Sequence, residues 1–417
     1  MKLSNGLQIQ LRNSKNSRYL MENNNTIRTP LILIVDDNPK NLQILGNYLR
    51  NEGFKIEFAL DGKSALDWIG RTEFDLILLD IMMPGMDGFE VCKILKSDPD
   101  KQKIPVIFLT AKVDTGSIVN GFDLGAVDYV IKPFNQKELI ARVKTQIEIK
   151  RSRDEIAANL KEIEYKNKLI KYSIQYAHTI QTAVLKAYID GSAFFPEQFC
   201  LILPKDIVSG DFYWFYKINN KVLVGVFDCT GHGIPGAFMS MLGITLLNET
   251  VIRENITEPH LILNRLREKI IETLGQKGIY FEVKDGMDGS IISYDLTSRR
   301  LVYSGAFNPL YFIRDDKIIE LRGDRMTLSY QDNIFDFSHQ EIKTKPNDLV
   351  YLFTDGFVDQ FGGQEEKKFQ RTQFKQVLLK INKNPMIVQR EMLRDIYNSW
   401  KGNREQVDDI TVVGLRL

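Results

Sequence analysis

Hydrophobic positions along the chain fall into three regimes. In the first, apolar runs at residues 31–35, 56–59, 76–79, 106–109 and 127–131 read as strands. Helical spacing falls between them, around 41–52, 63–70, 88–96, 117–124 and from 136 onward. Five strands alternating with five helices predict a doubly wound, parallel five-stranded α/β sheet. In the second regime, residues 136–185 contain neither proline nor glycine. Leu139, Val143 and Ile147 line one face. Ile156, Leu160, Ile163, Ile170, Ile174, Ala177 and Val184 then step four and three apart, with Asn167 and Gln181 at two core positions of the heptad. In the third regime, strand-like runs at 199–203, 222–227, 290–294, 301–304, 310–313 and 349–353 are joined by helical stretches at 236–254, 258–275, 369–381 and near 385–400. Successive strands with helix pairs predict a layered antiparallel α+β domain.

The chain is therefore expected to hold a mobile tail (1–29), an α/β domain (30–149), a helical coiled-coil linker (150–190) and an α+β domain (191–417). The tail is rich in Asn, Ser and Lys and shows no period. A single Asn at a core position favours a parallel two-stranded coil in fixed register. Lys161, Glu162, Glu164, Lys166 and Lys168 leave one apolar seam, so a homodimer through the helix is expected over a long helix packed on its own protein. From 156 to 184 the seam would run about 42 Å at 1.5 Å per residue. Asn167 and Gln181 are the expected weak points, and replacing both by Ile or Leu is expected to tighten the dimer.

Composition narrows the function classes. Among 417 residues, 43% are apolar and 26% charged, ordinary values for globular domains. A net charge of +1 argues against bulk nucleic acid as a partner. No run approaches the roughly 18 apolar residues of a membrane span, and no secretory core opens the chain. Cys92, Cys200 and Cys229 are far apart and show no metal-ligand spacing, which favours a reducing, cytoplasmic setting. With only four histidines, none close together, a metal site would use carboxylates and a hard ion such as Mg2+ or Mn2+.

Polar residues stand at the expected strand ends of the first domain. Asp36 and Asp37 follow the first strand, Asp80 ends the third, Thr110 the fourth and Lys132 the fifth. Ligands bind at the carboxyl ends of such sheets. Alone, Asp37 before Pro39 reads equally as a helix cap; the full set reads as a site. Three carboxylates in one pocket call for a divalent cation between them. A phosphoryl group on Asp80 would face that cation, the Thr110 hydroxyl and the Lys132 ammonium. In the last domain, Asp211 (VSGDFYW), Asp228 (VFDCTGHGIPG), Asp355 (LFTDGF) and Asp408 (QVDDIT) stand at element ends beside glycine or further acids. Asp supplies the charge for a metal cluster and Gly lets the backbone approach it. Each motif is weak alone, since Asp-Gly turns are common; the set in this order is specific.

The motifs VDDNP, LLDIMMPGMDG, LTA and DYVIKPF resemble the receiver domain of two-component response regulators over about residues 30–149. The resemblance implies Asp80 as phospho-acceptor, Asp36, Asp37 and the Met82 carbonyl as Mg2+ ligands, Thr110 and Tyr129 as the switch pair, and Lys132 as the phosphate-binding lysine. A sensor histidine kinase or phosphotransfer protein is the implied donor. Residues 195–417 resemble the type 2C metal-dependent serine/threonine phosphatases, in the bacterial branch typified by the stage II sporulation phosphatase. That implies a β-sandwich flanked by helices and two Mn2+ or Mg2+ ions. Asp228 would bridge them and the Cys229 carbonyl would join one. Asp355 and Asp408 would complete the second site, and Asp211 would ligate a metal or orient its water. The substrate would be a phosphoserine or phosphothreonine protein, by analogy an anti-sigma-factor antagonist.

Several residues depart from these patterns or stay open. Asp288 in DGMDGS reads as a ligand of a further, weaker metal or as a turn residue. Where the family often has a second acid past the Asp211 position, this chain has Trp214. Lys205 is the nearest candidate for a phosphate-binding cation, or plain surface charge. His232 invites a general-acid role but reads better as a loop-structuring residue. Cys229 itself reads as a small buried residue. The expected protein is a response regulator whose state at Asp80 controls a phosphatase. Its rivals are a non-catalytic partner-binding module and a constitutively active dimeric scaffold.

Overall fold

The computed structural model describes residues 28–111, 115–186, 194–276 and 285–417. The expected N-terminal tail lies outside the described residues except for its last two. The chain divides into two compact units, Met1–Tyr165 and Lys166–Leu417.

The first unit runs β1 (Leu31–Val35), α1 (Pro39–Arg50), β2 (Lys55–Ala59), α2 (Gly62–Arg71), β3 (Leu76–Asp80), α3 (Gly88–Ser97), β4 (Val106–Thr110), α4 (Thr115–Asp123) and β5 (Asp128–Ile131). The sheet is parallel, in the order β2-β1-β3-β4-β5. All five residues of β3 and of β4 are buried, because helices cover both faces. One face packs Leu33, Val35, Ile77 and Leu79 against Ala65, Val91 and Leu95. The other packs Ile32, Ile34, Leu76 and Leu78 against Leu42, Leu45, Leu139 and Val143. Both α2 and α3 open with reciprocal capping boxes, Asp61 with Ser64 and Asp87 with Glu90, so their starts are set locally.

Helix α5 (Gln136–Lys186) is continuous and belongs to both units. Its first turns bury Leu139, Val143 and Ile147. Farther on, Ile156, Leu160, Ile163 and Ile170 are 54–59% exposed.

The second unit continues with β6 (Gln198–Leu203), β7 (Phe212–Ile218), β8 (Lys221–Cys229), α6 (Gly233–Asn248), a π turn (Glu249–Arg253), α7 (Pro259–Thr273), β9 (Met287–Asp295), β10 (Arg300–Ala306), β11 (Leu310–Arg314), β12 (Lys317–Leu321), β13 (Gln340–Lys343) and β14 (Leu349–Phe353). It ends with α8 (Gly356–Asp359), a short ribbon of β15 (Phe361–Gly362) and β16 (Lys367–Lys368), α9 (Arg371–Ile381), α10 (Met386–Lys401) and β17 (Ile410–Arg416). Two antiparallel five-stranded sheets, β13-β10-β9-β8-β7 and β12-β11-β14-β17-β6, face each other. Between them pack Tyr213, Phe215, Val224, Ile292 and Tyr303 from one sheet and Phe312, Val350, Leu352 and Val413 from the other. The outer face of the first sheet takes α6 and α7 through Phe212, Trp214, Phe227, Ile244 and Leu266. The outer face of the second takes α9 and α10 through Tyr311, Phe353, Phe374 and Tyr397. Strand alternation explains this layering: Phe212 and Trp214 point outward, Tyr213 and Phe215 inward.

One expectation is overturned here. Gln181 does not stand on a coiled-coil seam. It is 3% exposed, its Nε2 donates to the Ser209 carbonyl (2.6 Å) and to Ser240 Oγ (2.9 Å), and its Oε1 accepts from the Ser209 N–H (3.3 Å). Val184 and Leu185 pack against the core beneath α6 and α7. The heptad spacing runs on past the point where the helix joins the second core, and a buried amide there looks the same in sequence as one in a coil. Gln181→Leu should therefore destabilise the second unit instead of tightening a dimer. Stripping the buried Ser209 N–H of its partner and leaving the Ser209 carbonyl with only the Ser240 hydroxyl (3.3 Å) should cost about 2 kcal/mol, which lowers the melting temperature by roughly 4–8 °C for a domain of this size. Thermal unfolding of the full chain reads this directly, and an unchanged or raised transition would return Gln181 to the coil.

Candidate functional site

Two acidic sites are built at strand ends, one in each unit. In the first, Asp36 follows β1 and Asp80 closes β3, so the parallel order brings them side by side. Carboxylate oxygens of Asp36, Asp37 and Asp80 all lie within 4.8 Å of one another. Asp36 and Asp80 are buried and Asp37 is exposed. Lys132 Nζ donates to Asp36 Oδ2 (2.8 Å) and to Asp80 Oδ2 (2.7 Å). Asp36 also accepts from the Asn38 N–H and the Asn41 amide. Burial raises the Asp80 carboxyl above its ordinary range. Lys132 opposes that shift, and the neighbouring Asp36 charge adds to it. The Met82 N–H lies 3.4 Å from Asp80 Oδ1, while the Met82 side chain is exposed. Thr110 is buried at the end of β4. Tyr129 in β5 meets Phe122 edge-on at 6.3 Å, and the Arg142 guanidinium lies 5.6 Å from its ring centre.

In the second unit, four strand ends converge. Asp211 precedes β7, and Asp228 is the penultimate residue of β8. Asp355 caps α8 just after β14, and Asp408 stands two residues before β17. Asp228 is paired in register with Asp288 of β9. Burial pushes the Asp228 carboxyl well above the ordinary carboxylate range, and the charges of Asp211, Asp355, Asp408 and Asp288 push it the same way. Asp355 is raised by burial, then by Asp359 and Asp408, while Arg371 and Lys368 pull it back. Asp355 makes no side-chain cap bond to α8, so its carboxylate is not consumed by the helix.

The loop before β7 is held from three sides. Asp409, the neighbour of Asp408, accepts from the Lys205 N–H and the Gly210 N–H, both at 2.7 Å. Thr354 Oγ1 donates to Asp211 Oδ2 (2.6 Å) and accepts from the Thr411 N–H (2.9 Å). Gln181 holds Ser209 as described. Gly356 is required by a close approach: a Cβ there would lie 2.0 Å from the Asp409 carbonyl oxygen. Of these supporting residues, Thr354, Gly356 and Asp409 are not singled out by the sequence. Asp409 was legible only as the second acid of QVDDIT, and Thr354 as the residue before Asp355.

The open residues also find their places. Trp214 is fully buried, stacks on Tyr216 at 5.6 Å and donates through Nε1 to Asn248, so it belongs to the core. His232 Nδ1 lies 2.7 Å from Asp206 Oδ2, pairing the loop before β7 with the start of α6. Lys205 takes part through its backbone N–H. The Cys229 thiol is buried and pushed well up. Asp288 Oδ1 is buried without a hydrogen-bond partner, and burial pushes its carboxyl up to about 6.

Both donor sets consist of oxygen, which suits hard divalent ions. Buried, mutually repelling carboxylates and an orphaned Asp288 oxygen fit metal binding at the second site. Among the described residues, no three acids of that site bring their oxygens within 4.8 Å of one another. Its donors are spread around Asp228, not closed into a single cage.

Residues 32–144 match the response regulator receiver domain family, and residues 219–417 match the stage II sporulation protein E (SpoIIE) family. The solved SiaA-PP2C domain of Pseudomonas aeruginosa is similar to this chain at 31% identity and a TM-score of 0.56, covering 60% of this chain and 98% of that domain. The DNA-binding response regulator MtrA of Mycolicibacterium smegmatis is 45% identical over 129 residues, 31% of this chain. A probable cyclic di-GMP phosphodiesterase of Vibrio cholerae is 46% identical over 123 residues, 30% of this chain. This chain spans 54% of the MtrA length and 28% of the Vibrio protein. The chain joins an N-terminal domain of the response regulator receiver family to a C-terminal SpoIIE-family domain of the PP2C type.

Proposed function

We propose that this protein is a response regulator whose phosphorylation at Asp80 controls a metal-dependent protein serine/threonine phosphatase. The observation that carries this reading is the convergence of Asp211, Asp228, Asp355 and Asp408 at four strand ends of a PP2C-type domain, on a chain that also carries the Asp36, Asp37, Asp80 and Lys132 cluster. In the receiver, Asp36, Asp37 and the Met82 carbonyl would hold Mg2+ beside Asp80. A phosphohistidine on a sensor kinase or phosphotransfer protein loses its P–N bond as an Asp80 oxygen forms the new P–O bond. Lys132, now shared by two carboxylates, turns to the phosphoryl oxygens, and Thr110 with Tyr129 reads the change.

In the phosphatase domain, Asp228, the Cys229 carbonyl, Asp355 and Asp408 would hold two Mn2+ or Mg2+ ions, with Asp228 as the shared ligand, and Asp211 would ligate a metal or orient its water. Such ions, when bound, supply Lewis-acid activation of water and of the phosphate ester. Thr354 and Asp409 keep the Asp211 loop in place for that work. Asp288 is a candidate for a further, weaker metal. The substrate is a phosphoserine or phosphothreonine protein, with an anti-sigma-factor antagonist as the reading by analogy. The exposed seam of Ile156, Leu160, Ile163 and Ile170 supports a homodimer through α5. Among the described residues, no helix is long and apolar enough to cross a membrane, in keeping with a cytoplasmic setting.

Hydrolysis of a phosphoserine peptide by the full chain should require Mn2+ or Mg2+ and stop on chelation. Asp228→Asn should lower the rate at least a hundredfold; removing a group on which the whole metal arrangement rests has effects of about that size or larger. Metal binding by calorimetry with no turnover would sink the enzyme reading and favour a partner-binding module.

Beryllium fluoride, a mimic of the Asp80 phosphoryl group, should change the hydrolysis rate of the wild-type chain. Asp80→Ala should remove that response. An identical response in both proteins would uncouple the receiver from the phosphatase.

A further inference from the structure

Phe307 is 42% exposed and holds a φ of +58°, a left-handed backbone conformation that a bulky aromatic rarely adopts. The surrounding structure forces it. Its N–H donates to the Asp324 carbonyl (2.9 Å), the Asp324 N–H donates to the Gly305 carbonyl (2.8 Å), and Tyr303 Oη donates to the Asn308 carbonyl (2.6 Å). Gly323 makes the close approach possible, since a Cβ there would stand 2.8 Å from the Gly305 carbonyl oxygen. Strain of this kind persists where a local shape is needed.

The shape in question is a cavity of about 310 Å3 lined by Phe307 and Pro309 together with three arginines, Arg322, Arg325 and Arg371. One acid, Glu320, also lines it, and that carboxylate is engaged by Lys375 (3.0 Å) and lies 3.8 Å from Arg322. Among the described residues, Arg325 and Arg371 make no hydrogen bond or ion pair. Arg371 is the first residue of α9, whose N-terminus has no side-chain cap, so the positive end of an 11-residue helix adds to the guanidinium charge. Charge here exceeds what the protein itself neutralises, and an aromatic platform stands beside it.

The cavity is near the metal centre. Across the sheet, Ala306, Gly289 and Phe227 sit side by side on β10, β9 and β8, so Phe307 follows a row that ends beside Asp228. Two strand spacings separate the row's ends by roughly 10 Å, the reach of about three residues of extended peptide.

We propose that this cavity is a specificity subsite of the phosphatase, taking an acidic side chain of the protein substrate within about three residues of the phosphorylated Ser or Thr. Arginine forks bind carboxylates in two-pronged fashion, and Phe307 packs the stem of the same side chain. The inference rests on the phosphatase reading above.

The test uses the full chain with Mn2+, p-nitrophenyl phosphate and two phosphoserine peptides that differ only in Asp and Glu versus Asn and Gln within three residues of the phosphoserine. Turnover of p-nitrophenyl phosphate by the wild type checks the phosphatase reading independently. The acidic peptide should show a KM lower by about fivefold, the scale of one or two exposed charge pairs, with kcat little changed. Arg325→Gln together with Arg322→Gln should bring the KM ratio of the two peptides close to one. Arg325→Glu should shift the preference toward a third peptide carrying Lys at the same positions. Equal KM values for acidic and amide peptides in an active wild type, or a ratio untouched by these substitutions, would overturn the subsite while leaving the phosphatase reading standing.

Discussion

The amide of Gln181 joins a helix to a loop whose position matters. It satisfies both backbone groups of Ser209, two residues from Asp211, in a site sealed from water. The carbonyl also accepts from Ser240 Oγ (3.3 Å), whereas the buried N–H has no other described partner, and leaving it bare is costly. The next residue, Gly210, gives its N–H to Asp409, and Asp211 itself accepts from Thr354. The loop is thus fastened at consecutive residues by three elements distant in sequence: α5, the segment before β17 and the segment after β14. One of the three fasteners lies on the helix that also belongs to the receiver's unit, so the metal-site loop is not independent of α5.

Both acidic sites face the same electrostatic problem and handle it differently. In the receiver, Lys132 lies between Asp36 and Asp80 and offsets part of their repulsion from within the protein. In the PP2C-type domain, Asp228 sits among four other acids, and the cations that act on Asp355 do so from its edge. Carboxylates in such surroundings favour protonation or a metal. The receiver site carries an internal cation beside its acids, whereas Asp228 is surrounded by further acids.

The legibility of the chain followed the regularity of its elements. In the receiver, four of the five strand ends carry polar residues at the place where doubly wound sheets bind ligands, so the sequence alone puts residues 36, 37, 80, 110 and 132 near one another. In the second unit, strands 310–314 and 349–353 were read almost as found. β7 and β17 were not drawn as strands. Phe212–Ile218 is nearly all aromatic and apolar because both its faces are covered, so the two-residue alternation that marks a half-exposed strand is missing. Ile410–Arg416 was masked by its own motif, since DDIT drew attention to the acids before it. Asp409 and Thr354 were unreadable for another reason: their work is hydrogen bonding to residues some 60 to 200 positions away, which no local spacing encodes. Gln181 shows the opposite failure, a local pattern that fitted too well.

The second compact unit begins at Lys166, inside α5, well upstream of its first strand. The helix end is therefore not an arm attached to a finished domain; it is a wall of that domain. This has a bearing on how such proteins can be assembled from modules. A PP2C-type domain of this design cannot be joined to an arbitrary partner by a flexible tether at its first strand, because the segment that completes its interior would be left behind. Any tether to another domain must join upstream of Lys166, so that the last turns of α5 stay with the sheets they pack against.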